Sequence, residues 1–256
     1  MSLVACADLV AAGDPDRFAA TMAAPVAARS VLWPLYAANL EIARAPWASA
    51  EPVVAEMRLQ WWINTIGEIA GGAARPGHPV TEALAPMLVA DPGLADLLAA
   101  VAEARRWDCW RDPFADSDHF DAYIDATAGN LMWAAARALG APAGAEPAIR
   151  DFAWGAGLAA YFRAVPELEA RGRVPLVDGR AAALGHLAAE GRARIRRGRA
   201  VVLPRSARPA LWTGASAARL LALAEREPGR IAEGTLHLSD FARKWALLSR
   251  AITGRV

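Results

Sequence analysis

The chain has 256 residues, of which 55% are hydrophobic and 10 are tryptophan, so it can build a core large enough to enclose an apolar cavity. The formal net charge of +1 excludes a global attraction for nucleic acid or for acidic substrates, and any basic site must be local. Two widely spaced cysteines without a Cys or His at metal-ligand spacing indicate structural thiols in a reducing compartment.

The hydrophobic pattern is helical throughout. Alanine and leucine dominate, runs of β-branched residues are absent, and apolar residues recur at spacings of three and four. No long polar linker interrupts the chain, so we predict one all-α domain over residues 1–256. Proline and glycine breaks then predict helices over residues 16–22, 26–44, 51–70, 93–110, 117–139, 147–168, 180–197, 213–225 and 239–251.

The second and third predicted helices carry charged side chains among large apolar ones. Such groups are rarely buried without partners, so two interpretations stay open: an ion-pair network between the helices, or a face toward a partner or ligand. We predict a mixture, with Arg58 structural and Arg44 exposed toward a cavity. Pro34 should kink the second helix, because it removes one backbone hydrogen bond. The candidate cavity or partner residues in these helices are Glu41, Arg44, Glu56, Arg58, Trp61 and Trp62.

Two later helices carry charge clusters. Asp121 and Asp125 stand one turn apart, where they could share a divalent cation, or they could face solvent and complement the helix dipole. The arginines between Arg192 and Arg208 could bind an anionic lipid head group or an acidic partner, or form a solvated helix end. Between these clusters, Gly155 and Gly157 alternate with large side chains, which indicates close helix packing or a cavity wall.

An ordered set of short motifs resembles the squalene/phytoene synthase family. The resemblance runs from Asp14 to Val177 and more weakly to the C-terminus, and it implies an isoprenoid-synthase fold, in which helices surround a deep apolar cavity. The motifs that carry it are Leu35-Tyr36-Ala37, the run from Glu56 to Trp62, Arg106 with Asp108, Tyr123 with Gly129, and Arg171-Gly172-Arg173.

The resemblance also implies where catalytic groups would lie. In active members, two aspartate-rich motifs hold Mg²⁺ ions that bind the substrate diphosphate and stabilise its departure. Counting from the flanking motifs, the first set of aspartates falls near Ala43, Arg44 and Trp47, and the second falls at Ala164 and Leu168, with Glu167 the one acid in register. We therefore assign no catalytic residue and no metal ligand. Arg171 and Arg173 join the cavity or partner candidates.

The pattern of Asn39 and Glu41 followed by the Glu56 to Trp62 run is similar to a non-catalytic branch, which includes a mitochondrial assembly factor for respiratory complex I. The resemblance implies a factor that assists complex I assembly, with a protein or lipid partner and no cofactor. It would be cytoplasmic or peripheral at the cytoplasmic face of the inner membrane. The alternatives are a divergent prenyltransferase that joins two prenyl diphosphates head-to-head using Mg²⁺, and a carrier of an isoprenoid or another apolar lipid.

Overall fold

A computed structural model describes residues 2–73 and 77–255, and every regular element in these ranges is a helix. The predicted all-α class is confirmed. Short 3₁₀ turns connect several of the helices, and a π-helical turn at Asp125–Gly129 joins α7 to α8. The α-helices are α1 (Ser2–Gly13), α2 (Pro15–Ala23), α3 (Val26–Arg44), α4 (Pro52–Ala70), α5 (Pro79–Ala90), α6 (Pro92–Ala104), α7 (Ser117–Ile124), α8 (Asn130–Ala138), α9 (Glu146–Ala170), α10 (Ala181–Gly198), α11 (Ala217–Arg226), α12 (Gly229–Ala232) and α13 (Asp240–Thr253).

Three helices lie outside the predicted set, namely α1, α5 and the four-residue α12. Helix α1 buries only Cys6 and Val10, so its alanine-rich sequence carries little periodic signal. Helix α5 begins at Pro79, where the sequence suggested a break, and it continues through Pro86. Both form because tertiary packing overrides weak local preference: α1 packs against α3 and α5. Helix α3 continues through Pro34 without interruption.

The core is centred on α3, α8 and α9. Helix α3 buries a continuous run from Leu32 to Asn39, and α8 buries every residue from Asn130 to Ala136. A helix buried on nearly all sides belongs at the centre of a large helical protein. The other helices pack around these three and leave the space that forms the candidate site.

Glycines set the distance between α9 and α10. A Cβ atom on Gly155 would lie 2.5 Å from the carbonyl oxygen of Gly191, and one on Gly198 would lie 2.5 Å from the carbonyl oxygen of Ala148. Real Cβ atoms do not approach backbone so closely, so the close approach of the two helices requires glycine at positions 155 and 198. The predicted close packing at Gly155 is therefore confirmed. Across the described residues, no helix is long and apolar enough to cross a membrane.

Candidate functional site

A central groove runs between α2, α3, the π-helical turn and α9. It consists of two adjoining cavities of about 330 Å³ each, which share the residues Asp14, Arg17, Ala128, Leu131, Gly157 and Ala160. Small side chains create the space. On α9, a Cβ atom at Gly157 would lie 2.5 Å from the Cβ of Ala128, so the missing side chain lets the π-helical turn approach the groove wall.

Arg150 fixes the π-helical turn from the outside. Its guanidinium donates hydrogen bonds to Asp125 Oδ2 and Asn130 Oδ1, each at 2.9 Å, and to Glu146 Oε1 at 2.7 Å. The turn therefore presents Thr127 toward the groove in a defined position. Wide helical turns of this type are frequent at functional sites.

Every carboxylate that lines the groove forms an ion pair with an arginine. Asp14, which also caps α2, pairs with Arg17. The remaining pairs are Asp16 Oδ2 with Arg163 Nη1 at 2.8 Å, Asp16 Oδ1 with Arg243 Nη1 at 2.9 Å, Asp108 Oδ2 with Arg105 Nη1 at 2.9 Å, and Glu167 Oε1 with Arg171 Nη2 at 2.7 Å. The negative charge of the groove is thus neutralised by guanidinium groups of the same chain.

The positions that the family resemblance assigned to metal ligands lie mostly in this groove. Ala43 and Trp47 line it from α3 and the following 3₁₀ turn, and Ala164 and Leu168 line it from α9. At one end the Arg171 guanidinium stacks on the Trp47 ring, with its central carbon 4.5 Å from the ring centroid. An aromatic ring and a cation therefore occupy the end of the groove where the two sets of positions meet.

A buried polar cluster closes another wall of the groove. Asp108 is 4% exposed and accepts hydrogen bonds from the Tyr123 hydroxyl at 2.9 Å and from Arg105 Nη1 at 2.9 Å. Burial raises the pKa of Tyr123 well above its usual range, so its hydroxyl stays protonated and donates to the carboxylate. The cluster orients Arg105 and Tyr123, both of which line the groove.

Arg173 was predicted to face a cavity or a partner, and the structure corrects this. It is 6% exposed, it donates to the Asp108 carbonyl oxygen at 2.8 Å, and its guanidinium carbon lies 4.1 Å from the Trp107 ring centroid. The left-handed Gly172 (φ 77°) turns the chain between the two arginines after α9. Arg171 therefore reaches the groove, whereas Arg173 stabilises the Asp108 turn from inside.

The groove residues do not fit a magnesium cluster. Mg²⁺ requires oxygen ligands, and here alanine, leucine and tryptophan stand at the expected positions, while the acids present are held by arginines. Within the described ranges, no group of three or more His, Cys, Asp or Glu side chains is arranged to hold a metal ion. Asp121 and Asp125 do not share a site: the first pairs with Arg194 and the second with Arg150, both at 2.9 Å.

The remaining candidates except Glu56 line a separate outer pocket of about 290 Å³, whose residues are Glu41, Arg44, Ala45, Ala48, Arg58, Trp61, Trp62 and His78. The expected ion pairs between α3 and α4 are absent from the described residues, because Arg58 is exposed and Glu56 accepts a 2.8 Å hydrogen bond from the Trp110 indole. Arg58 is therefore not the structural residue that the sequence suggested. Arg44 is exposed as predicted, but it lines the outer pocket and is not among the residues that line the central groove.

His78 was missed in the sequence, where it stands beside a proline in a loop. Its ring lies 5.4 Å from the Trp62 ring and 5.8 Å from the Trp61 ring, and its buried Nδ1 has no hydrogen-bond partner. The groove residues Asp14, Arg17, Arg163 and Arg243 were also missed, because Arg163 and Arg243 lie far along the chain from the first two and no local motif joins them.

Comparisons with known proteins agree with the all-helical fold. The family model described as squalene/phytoene synthase matches residues 10–177. A crystal structure described as a dehydrosqualene synthase in complex with ligand matches 98% of this chain and 95% of its own, with a TM-score of 0.80 and 15% sequence identity, which shows a shared fold. No curated protein sequence matches the chain significantly.

Proposed function

The chain belongs to the squalene/phytoene synthase family, and from this starting point we propose that it is a member without prenyl-transfer activity that assists assembly of respiratory complex I. We place it in the cytoplasm, at the cytoplasmic face of the inner membrane. The observation that supports the proposed lack of prenyl-transfer activity most directly is the pairing of every groove carboxylate with an arginine.

The physical reason concerns the leaving group. Ionisation of an allylic diphosphate builds negative charge that Mg²⁺ would normally match, and Mg²⁺ must itself be held by free carboxylates. A carboxylate already engaged by a guanidinium would have to break that pair before it could bind a metal. The groove can therefore keep its shape and its ability to enclose an apolar molecule while it lacks the charge needed for catalysis.

We expect the protein to show no prenyl-transfer activity. The purified protein, supplied with Mg²⁺ and either farnesyl or geranylgeranyl diphosphate, should release no diphosphate above a protein-free background, because Ala43, Ala164 and Leu168 offer no ligand. A diphosphate-release assay tests this expectation, with an active synthase as the positive control. Steady formation of a head-to-head prenyl product would replace the proposal with the prenyltransferase alternative.

The outer pocket is our candidate partner surface for assembly. Arg44 and Arg58 are exposed and have no ion-pair partner among the described residues, so Arg44→Ala and Arg58→Ala should each change stability by less than about 0.5 kcal/mol. Both should nevertheless lower the recovery of assembled complex I when they replace the wild-type chain in a deletion strain. Arg226→Ala, an exposed change on α11, serves as the control. A deletion strain with normal complex I would remove the assembly hypothesis.

A second candidate, binding of an apolar isoprenoid or lipid, is favoured by the groove itself. Leu40, Ile124, Leu131 and Leu168 provide apolar lining in a space whose two halves fall in the size range of small-molecule sites. Solvent extraction of the purified protein followed by mass spectrometry tests this candidate. A stoichiometric lipid would support a carrier, and a lipid-free protein that also fails to take up added quinone or prenyl alcohol would exclude it.

A further inference from the structure

Helix α13 carries an exposed apolar stripe. Its members are Phe241, Trp245, Leu248 and Ile252, which are 75%, 53%, 49% and 74% exposed. The successive spacings of four, three and four residues place them on one side of the helix. Phe241 and Trp245 stack with ring centroids 6.2 Å apart, so the stripe is continuous at its N-terminal end. Four large apolar side chains aligned toward solvent differ from the scattered exposed residues of an ordinary surface.

The opposite face of α13 is held against the protein. Ala246 is buried, and Arg243 pairs with Asp16 on α2 at 2.9 Å. The Ser239 side chain caps the N-terminus, and Arg208 donates a 3.0 Å hydrogen bond to the Gly254 carbonyl oxygen at the C-terminus. The helix is therefore fixed at both ends, and the stripe points outward because the other face is already occupied.

Cations without carboxylate partners surround this helix. Lys244 is exposed and adjoins the stripe on the helical wheel. Arg219 donates to the Ala242 carbonyl oxygen at 3.5 Å, and Arg250 lies within α13. Burial, together with the neighbouring Arg199 and Arg219, lowers the pKa of Arg250 to about 10. In residues 2–73 and 77–255, none of these four cations forms an ion pair with an acid.

We propose that the stripe of α13 docks on an anionic lipid bilayer, with the exposed Lys244 and Arg219 beside it facing lipid phosphates. A helix that combines an apolar face containing Trp and Phe with flanking Lys and Arg is suited to lie in the plane of a membrane interface. Its 14 residues span about 21 Å, and no described helix could cross the bilayer. Lys244 and Arg219 supply the positive charge that an anionic leaflet attracts.

A protein partner fits this surface less well. The four side chains expose on the order of 500 Å², which is below the roughly 800 Å² per partner of a stable interface. A second copy of the chain would also bring the same unpaired cations together, with like-charge repulsion. The inference concerns a surface on α13, away from the residues that line the outer pocket, and it does not depend on a role in complex I assembly.

The test is flotation of the full chain with lipid vesicles. Wild-type protein should float with vesicles rich in phosphatidylglycerol, float poorly with phosphatidylcholine alone, and bind less as salt rises. The double variant Phe241→Ser/Trp245→Ser should lower binding about tenfold or more, and Lys244→Ala should lower it about fivefold. Val4→Ser/Val26→Ser removes apolar side chains that are 65% and 74% exposed elsewhere, and should bind like the wild type.

The outcomes separate the alternatives. Equal thermal stability of all variants is expected, because the changed side chains are exposed. Failure of the wild type to float with anionic vesicles, or binding that the α13 double variant leaves intact, would overturn the proposal. A stripe-dependent dimer by light scattering without vesicle binding would assign the surface to a second copy instead. If a deletion strain assembles normal complex I while the purified protein still binds vesicles, only the proposed function is rejected.

Discussion

Removal of the Asp108 carboxylate should be the most destabilising of the changes considered. Asp108→Ala removes the acceptor of the buried Tyr123 hydroxyl and the counter-charge of Arg105, which then keeps only the Tyr123 hydroxyl as an acceptor. Breaking a buried charge pair by removing one partner costs about 3–5 kcal/mol, because the remaining charge stays desolvated. We therefore expect a loss of this size in the free energy of unfolding, measured by urea denaturation.

The neighbouring ion pair provides the matched control. Glu103 is 62% exposed and pairs with Arg106 at 2.8 Å, so Glu103→Ala should cost no more than about 1 kcal/mol. Asp108→Asn should fall between the two, since an amide can still accept one hydrogen bond but carries no charge. If Asp108→Ala costs no more than Glu103→Ala, the buried cluster does not hold this wall of the groove.

A methyl group at Gly198 should push α9 and α10 apart. The added Cβ would lie 2.5 Å from the Ala148 carbonyl oxygen and 2.7 Å from the Phe152 backbone nitrogen, and backbone atoms cannot rotate away as a side chain can. Overpacking of this kind costs about 1–3 kcal/mol and sometimes more, and we expect Gly198→Ala to lie at the upper end.

The control is a glycine in open space. A Cβ atom on Gly67, inside α4, would meet nothing within 4 Å, so Gly67→Ala should stabilise the protein by up to about 1 kcal/mol through helix propensity alone. Thermal and urea unfolding of both variants measure the contrast. Changes of the same sign and size would mean that helix propensity, and not the close approach of the two helices, determines the effect at Gly198.

The sequence predicts those groove residues that lie a fixed number of residues from a recognisable motif on the same helix. The count from Leu35-Tyr36-Ala37 placed Ala43 and Trp47 in the groove, and the count from Arg171 placed Ala164 and Leu168 there. Arg44 follows Ala43 by one residue, which rotates it about 100° around the helix and into the outer pocket. Counting from a motif therefore identifies residues that line the groove, but an error of one residue selects a side chain on another face of the helix.

The charge pairing of the groove could not be predicted in the same way. Asp16 and Arg243 are separated by 227 residues, and Asp16 and Arg163 by 147 residues, so no local pattern connects them. The same limit explains the error at Arg58 and Arg173. Each carries a charge among apolar neighbours in the sequence, but tertiary contacts leave the first exposed and bury the second against Asp108 and Trp107.

The bridge from Asp16 to Arg163 and Arg243 also bears on synthesis of the chain. Ribosomes add about 5–20 residues per second, and 227 residues separate Asp16 from Arg243. Arg243 is therefore synthesised roughly 10–45 s after Asp16. During that interval α2 can pair with α9 through Arg163, but its contact with α13 cannot form. The groove wall is therefore completed late in translation, once α13 has been synthesised.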